Sequence, residues 1–373
     1  MGALVDRVIT TLEKRRERLL SGEVNCIPSP FKRFSNNFVG VEQGKYYLIS
    51  GSTKSAKTQI ANFMFLYNSI FYAYKNQDRI RLRILYYPLE ETQEAITTRF
   101  MCHLLYILSH GTIRKSSVDL RSTKEDQPIE QEVLDLLHSE KYQAILNFYE
   151  EHVTFLPDRN PTGIMYSAKK YAENNGTEYK KKATITNKNG EIVDEREVFD
   201  YYEPADPNEY VMIIVDHISL IDTEQGKTLR ECMNMLSEYM MRLRNRYNYI
   251  PVIIQQQSQE TQSLEAFKFN KIRPSVAGLA DSKYLAKDCN VMLGITNPYA
   301  HELKEYFGYD ITKMKSSIRF LECVINRDGE SNGIVALYFD GAVNYFTEMP
   351  TPDDLAGMEK VYNMLRDRSV RTI

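Results

Sequence analysis

Tyr46-Tyr47-Leu48-Ile49-Ser50-Gly51-Ser52-Thr53-Lys54-Ser55-Ala56-Lys57-Thr58 carries an apolar strand into a turn of small and cationic residues, and an apolar helical segment follows it. A turn of this kind can surround phosphate oxygens with backbone amides, place them at the positive end of a helix and add an ammonium group for the outer phosphates. Gly51, Lys57 and Thr58 stand where the P-loop pattern G-x-x-x-x-G-K-[ST] requires them, and Thr58 would offer its hydroxyl to Mg²⁺. One position departs from the pattern: Ala56 replaces the second glycine, and a Cβ is tolerable there if the φ angle is negative. Gly51, Ser52, Thr53, Lys54, Ser55, Ala56, Lys57 and Thr58 are the candidate phosphate loop, with ATP and Mg²⁺ as the expected ligands.

With 373 residues the chain allows one large or two medium domains. Its 47 basic and 50 acidic residues leave a net charge of −3, which excludes a global polycation. Any nucleic-acid contact must then come from a local basic surface. Cys26, Cys102, Cys232, Cys289 and Cys323 are odd in number and widely spaced, without zinc-ligand spacing or a disulfide framework. They read as reduced core thiols. With no signal-peptide pattern and no apolar stretch long enough to span a bilayer, the expected location is the cytoplasm, with no membrane partner.

Leu4, Val5, Val8, Ile9, Leu12, Leu19 and Leu20 recur at helical spacing among charged residues, which predicts an amphipathic helix ending near Gly22. Ile84-Leu85-Tyr86-Tyr87 reads as a buried strand, and Glu90-Glu91-Thr92 opens a helix to about Ser109. Residues 111–160 read as charged and mostly helical, and a helix follows from Pro161 to about Asn175. The alternation over 180–202, centred on Asn189-Gly190, predicts a hairpin. Tyr210 to Val215 and Pro251 to Ile254 are continuous apolar runs suited to the middle of a parallel sheet, with an amphipathic helix between them. Strands alternating with helices predict an α/β fold: a mostly parallel central sheet flanked by helices.

Asp216 ends the strand begun at Val211, at the carboxyl edge where open α/β sheets bind ligands. A strand-end carboxylate of this kind is the usual Mg²⁺ partner of a P-loop. Glu90, at the end of the Ile84 strand, can position the attacking water. Glu90 and Glu91 are adjacent and cannot point the same way, so one can face the site while the other serves the helix start. Gln257 follows the Pro251 strand and could sense the γ-phosphate through its amide. Gln255, Gln256 and Gln259 surround it, and spacing does not choose among them.

The ordered set Ile27-Pro28, the loop at Gly51–Thr58, Tyr87-Pro88-Leu89-Glu90, Ile214-Val215-Asp216, Pro251-Val252-Ile253, Gln257, Arg273-Pro274, Asn326-Arg327-Asp328-Gly329 and Phe339-Asp340-Gly341 resembles the RecA-like motor domain of DnaB-type replicative helicases. The resemblance spans about residues 22–347. It implies that Lys57 and Thr58 bind phosphates and Mg²⁺, that Asp216 belongs to the Mg²⁺ shell, and that Glu90 is the catalytic glutamate. It further implies that Gln257 is the glutamine after the fourth strand, and that Arg327 is an arginine finger inserted into a neighbouring subunit. A homo-oligomeric ring, usually hexameric, follows from that last role. So do single-stranded DNA as substrate track, strand separation in replication, and a primase or loader as partner.

On this reading residues 1–22 form a linker helix that docks on the adjacent protomer, 23–350 the ATPase domain with an inserted hairpin at about 176–209, and 351–373 a helical tail. The family's N-terminal collar is expected to be absent. Ile325 stands where the family usually has a lysine. Gly278-Leu279-Ala280-Asp281-Ser282-Lys283 replaces its DNA-contacting loop, leaving Lys283 and Ser282 as the DNA-binding candidates. The truncated form and the Lys-, Asn- and Tyr-rich, Trp-free composition suggest a phage or mobile element in a bacterial cell. Two alternatives stand beside the helicase: a RecA-like recombination ATPase forming filaments on DNA, and a slowly hydrolysing ATP-binding assembly protein.

Overall fold

The computed structural model describes residues 3–186, 192–258 and 272–370. Its centre is a nine-stranded sheet. In chain order the sheet strands and one hairpin are β1 (Tyr47–Gly51), β2 (Arg81–Pro88), β3 (Val153–Phe155), the hairpin strands β4 (Gly176–Thr186) and β5 (Ile192–Pro204), β6 (Glu209–Asp216), β7 (Ile250–Gln256), β8 (Val291–Thr296), β9 (Ile318–Asn326), β10 (Ile334–Asp340) and β11 (Tyr345–Glu348). Across the sheet the order is β11-β10-β9-β8-β1-β7-β6-β2-β3. Strands β8, β1, β7, β6, β2 and β3 run parallel. Strands β9, β10 and β11 extend the sheet antiparallel.

Alternation along the strands builds two cores. Tyr47 and Ile49 of β1, Tyr86 of β2, and Met212 and Ile214 of β6 face one layer, with the helix that follows the phosphate loop and helices Gln93–Leu108 and Glu140–His152. Leu48, Tyr87, Val211, Ile213 and Val215 face the other, against helices Pro161–Asn174 and Leu229–Tyr247. Burial on both faces explains why these strands read as unbroken apolar runs. A third cluster, with Phe320, Tyr338 and Met349, packs the C-terminal helix Leu355–Val370 onto the antiparallel end through Met358.

The helix after the phosphate loop is not uniform. Lys57–Ala61 is α-helical, Asn62–Tyr67 is a π-helical segment with every residue buried, and Asn68–Lys75 returns to α. Helix Gln93–Leu108 starts at Thr92, whose side chain accepts from the Ala95 amide, so Glu90 and Glu91 lie in the turn before it. The segment 111–160 holds helices Ser117–Leu120, Gln131–His138 and Glu140–His152, which cover half of it, and the rest is turns, loops and β3, which pairs parallel with β2. Three residues are too few for a period to reveal.

The N-terminal helix runs Ala3–Leu20 and stops at Gly22, whose φ of +88° ends it. From Val8 to Leu20 every residue but Arg18 is exposed, including Ile9, Leu12 and Leu19. Its ties to the body are polar: Arg15 to Glu42 at 2.9 Å and the Arg18 guanidinium to the Val24 carbonyl at 3.0 Å. Strands β4 and β5 form a separate antiparallel ribbon, and the Asn189-Gly190 turn lies outside the described residues. Lys180, Lys181 and Lys182 are exposed, while Tyr202 packs edge-on against Tyr247 at the ribbon base. Among the described residues no helix is long and apolar enough to cross a membrane.

Candidate nucleotide-binding and hydrolysis site

Strand β1 delivers Gly51 to the carboxyl edge of the sheet, where a Cβ would lie 2.3 Å from Ser55 Oγ and 2.8 Å from the Ile295 carbonyl. Glycine is therefore obligatory at that position. The loop is pinned from behind: Asn297 Nδ2 donates to the Lys54 carbonyl at 3.0 Å and Arg319 Nε to the Ser55 carbonyl at 2.9 Å. Holding these oxygens against the protein leaves the neighbouring amides for an anion. Ser55 Oγ is buried without a hydrogen-bond partner, an orphan that suits a loop shaped to take an anion.

Ala56 has a φ of +75°, so the negative angle that would accommodate its Cβ is not adopted. The loop keeps the left-handed turn of a glycine and carries the strain of a methyl group, about 1 kcal/mol. Ala56→Gly is expected to relieve it, raising the unfolding free energy by about 1 kcal/mol. Denaturant titration of the two proteins measures this directly.

Thr58, on the first turn of the helix, lies with its Oγ1 3.1 Å from Asp216 Oδ1. Asp216 is buried at the end of β6, and the Tyr86 hydroxyl donates to its other oxygen at 3.3 Å. Burial pushes the Asp216 carboxyl up to about 7; the Thr58 hydrogen bond lowers it, Glu90 and Glu91 raise it, and Lys57 lowers it. A raised folded value stabilises the fold fully below about pH 4, and this stability is lost as pH rises through about 7. Asp216→Asn is therefore expected to stabilise the nucleotide-free protein at pH 8 by roughly 1–3 kcal/mol. The gain should vanish near pH 4, as thermal unfolding at the two pH values would show.

The donor set fits Mg²⁺. It offers hard oxygens, one hydroxyl and one carboxylate, beside a phosphate loop, and Mg²⁺ is typically held by one or two carboxylates plus substrate phosphates. Among the described residues no cluster of three or more His, Cys, Asp or Glu is placed to hold a metal unaided.

Glu90 and Glu91 divide as their adjacency requires. Glu91 makes a two-pronged ion pair with Arg99, while Glu90 keeps a side chain 47% exposed in the cleft, 3.9 Å from His217 Nε2. Burial, then Lys57, lowers the His217 pKa, which disfavours its charged form. Both glutamates line a cleft of about 310 Å³ with Thr53, Lys57, Thr58 and Gln256.

Gln257, the glutamine expected at the phosphates, is buried elsewhere: its amide donates to Ser50 Oγ at 2.8 Å and the Ser275 carbonyl at 3.2 Å. Gln256 takes the place at the cleft, donating to Thr53 Oγ1 at 2.8 Å. Side chains alternate along β7, and the alternation turns Gln256 alone of the three toward the loop. Gln255 donates to the Ser282 carbonyl at 2.9 Å, and Gln259 lies outside the described residues.

Two further residues line the cleft: Phe339, quoted from the sequence only as part of the resemblance, and Arg319, which was not singled out. Arg319, at the head of β9, is buried, its pKa pulled down to about 10 by desolvation, and its guanidinium lies 4.7 Å from the Phe339 ring centre. Both also line a cavity of about 780 Å³ beside the C-terminal helix. An arginine inside the apolar run Ile318-Arg319-Phe320 is the signal that marks it, since buried charges occur where something pairs with them.

Arg327 is exposed beyond the end of β9 and donates to the Cys289 carbonyl at 2.7 Å. Asn326 pairs with Val291, the first residue of β8, which pairs with Tyr47, the first residue of β1. Arg327 thus sits at the edge opposite the phosphate loop, a strand length of roughly 15 Å away. It does not join the cleft of its own chain. Of the DNA candidates, Lys283 is exposed, but Ser282 is buried with its hydroxyl on Asn234 Oδ1 at 2.5 Å. That hydroxyl is committed to the fold, which removes Ser282 as a phosphate contact.

No protein-family model and no curated protein matches the sequence. Solved structures do match. The ATPase domain of G40P superposes with a TM-score of 0.60 at 13% identity, over 94% of this chain and 100% of that one. A DnaB-like replicative helicase, described with its interactions with primase, superposes with a TM-score of 0.60 at 14% identity, over 93% of this chain and 67% of that one. The chain has the fold of the DnaB-type motor domain. Within that DnaB-type fold, Lys57, Thr58, Glu90 and Asp216 meet at one sheet edge and Arg327 stands at the other.

Proposed function

We propose that this protein is an ATP-driven DNA helicase of the DnaB type, which assembles as a ring, moves along single-stranded DNA and separates the duplex in replication. The observation that carries the proposal is the division of the site: phosphate loop, Asp216 and Glu90 on one edge, Arg327 on the opposite one. A hydrolytic site completed by a second copy is the simplest use of that division.

In this reading the loop amides and Lys57 hold the phosphates. Thr58 and Asp216 hold Mg²⁺, which supplies charge neutralisation at the β- and γ-phosphate oxygens. Glu90 orients the attacking water and accepts its proton, with Glu91 kept out of competition by Arg99. Gln256 reports the state of the loop through Thr53. Phe339, stacked on Phe346 and covered by the Arg319 guanidinium, forms part of the cleft wall. Arg327 of a second copy stabilises transition-state charge, so turnover depends on assembly.

The exposed apolar stripe of the N-terminal helix supports a second contact between copies. An isolated helix of this length is marginal in water, and its partner supplies the missing burial. The apolar groove of about 400 Å³ lined by Phe63, Phe71, Ile107 and Ile145 is a seat of suitable chemistry. Lys283, and a primase or loader, remain parts of the same proposal. Electron microscopy with ATP, with and without single-stranded DNA, tests it together with unwinding of a forked duplex. Closed rings, DNA-stimulated hydrolysis and unwinding are expected; filaments with strand pairing would indicate a recombinase.

A second reading has one observation in its favour. The strained Ala56 suits a slowly turning-over assembly protein in which nucleotide joins subunits. Rings whose ATPase ignores DNA would select it.

A further inference from the structure

We propose that Tyr86 is a positioning residue for the metal-side carboxylate, fixing Asp216 through a buried Asn62–Tyr86–Asp216 chain that reaches into the π-helical segment. The inference rests on the reading of the cleft as an ATP·Mg²⁺ site and adds to it a residue outside the sequence motifs.

Geometry places the three groups together. Tyr86 of β2 pairs with Ile214 of β6, so its side chain stands on the same sheet face as Ile214 and, two residues on, Asp216. That face is covered by the helix after the phosphate loop. Thr58 and Asn62 are four residues apart on this helix and share one of its sides. Thr58 Oγ1 meets Asp216 Oδ1 at 3.1 Å, and the Tyr86 hydroxyl meets Asp216 Oδ2 at 3.3 Å and Asn62 Oδ1 at 3.1 Å. Tyr86, Asn62 and Asp216 are each buried, at 0%, 1% and 2% exposure, so water does not substitute for any of them.

A phenol has one proton and here faces two oxygens. An ionised carboxylate is the stronger acceptor, so the proton goes to Asp216 when that group is charged and to Asn62 otherwise. Thr58 serves the carboxylate only until its hydroxyl is needed by the cation. Tyr86 would then be the protein donor left on Asp216, and it would hold that carboxylate in place for the cation. Asn62 is the first residue of the π-helical segment. Second-layer partners of this kind orient a ligand and tune its basicity.

Tyr87 supplies the matched control. It is equally buried but faces the opposite core, where its hydroxyl meets Ser167 Oγ at 2.8 Å. The experiment titrates Mg²⁺ into protein and a fluorescent ATP analogue, with parallel arms in EDTA, and repeats the series with Mn²⁺ read by electron paramagnetic resonance. Tyr86→Phe is expected to raise the half-saturating Mg²⁺ and Mn²⁺ concentrations about tenfold, the worth of one hydrogen bond to a charged group. Metal-free binding should stay at the wild-type level, and Tyr87→Phe should leave every arm unchanged. An unchanged metal requirement in Tyr86→Phe, an equal rise in Tyr87→Phe, or a parallel loss of metal-free binding would overturn the inference. A wild-type protein that binds no nucleotide would instead overturn the ATP·Mg²⁺ reading on which it stands.

Discussion

Arg327→Ala is expected to slow ATP hydrolysis by roughly 10³- to 10⁵-fold while ATP binding stays near the wild-type level. The separation of effects follows from position. Arg327 lies beyond the amino-terminal ends of β1 and β8, and the candidate phosphate loop begins at the other end of β1. Its guanidinium donates to the Cys289 and Lys287 carbonyls, so alanine also removes contacts worth about 1 kcal/mol each, visible as a lower melting temperature. Arg327→Lys retains a charge at this place and separates the two effects: it should keep part of the stability and still turn over slowly, because a lysine lacks the planar fork.

Glu90→Gln should abolish turnover by another route. A glutamine keeps the shape and removes the acceptor for the water's proton, a loss of roughly 10²- to 10⁴-fold. Nucleotide and Mg²⁺ binding should persist, since Lys57, Thr58 and Asp216 are untouched. The neighbouring Glu91→Gln is the informative contrast. Glu91 is held by Arg99, so its substitution should weaken the helix start and alter turnover far less than the change at Glu90. Single-turnover hydrolysis of radiolabelled ATP, with binding measured on the same samples, separates these outcomes.

Much of this site was legible in the sequence because its parts obey local rules. A glycine with no room for a Cβ, a lysine and threonine opening a helix, and a carboxylate ending a buried strand are each dictated within a few residues. The sheet was legible for the same reason, since β6 and β7 are buried on both faces and show it as apolar runs. What the sequence withheld depends on neighbours brought from far along the chain. Three consecutive glutamines look alike until the register of β7 against β1 turns Gln256 to the loop and Gln257 to Ser50. Ser282 looked available until Asn234, on a distant helix, took its hydroxyl. Tyr86 gave no signal at all, because a tyrosine in an apolar strand reads as core until Asp216 and Asn62 are seen beside it.

Ala56 shows how a local rule and its context diverge. A Cβ at position 56 is comfortable only with a negative φ, yet the loop holds the left-handed turn. Ties from Asn297 and Arg319 hold the two peptides before it in place. The fold therefore preserves the phosphate cradle and accepts strain inside it.

Mixing two inactive proteins tests whether the hydrolytic site is shared between subunits. Glu90→Gln and Arg327→Ala subunits are combined in equal amounts with ATP and single-stranded DNA, and steady-state hydrolysis is compared with each variant alone. Recovery is expected, because some junctions then join an intact Glu90 to an intact Arg327 from the next subunit. A mixture that never exceeds the sum of its two components, from variants shown to co-assemble, would contradict a shared site.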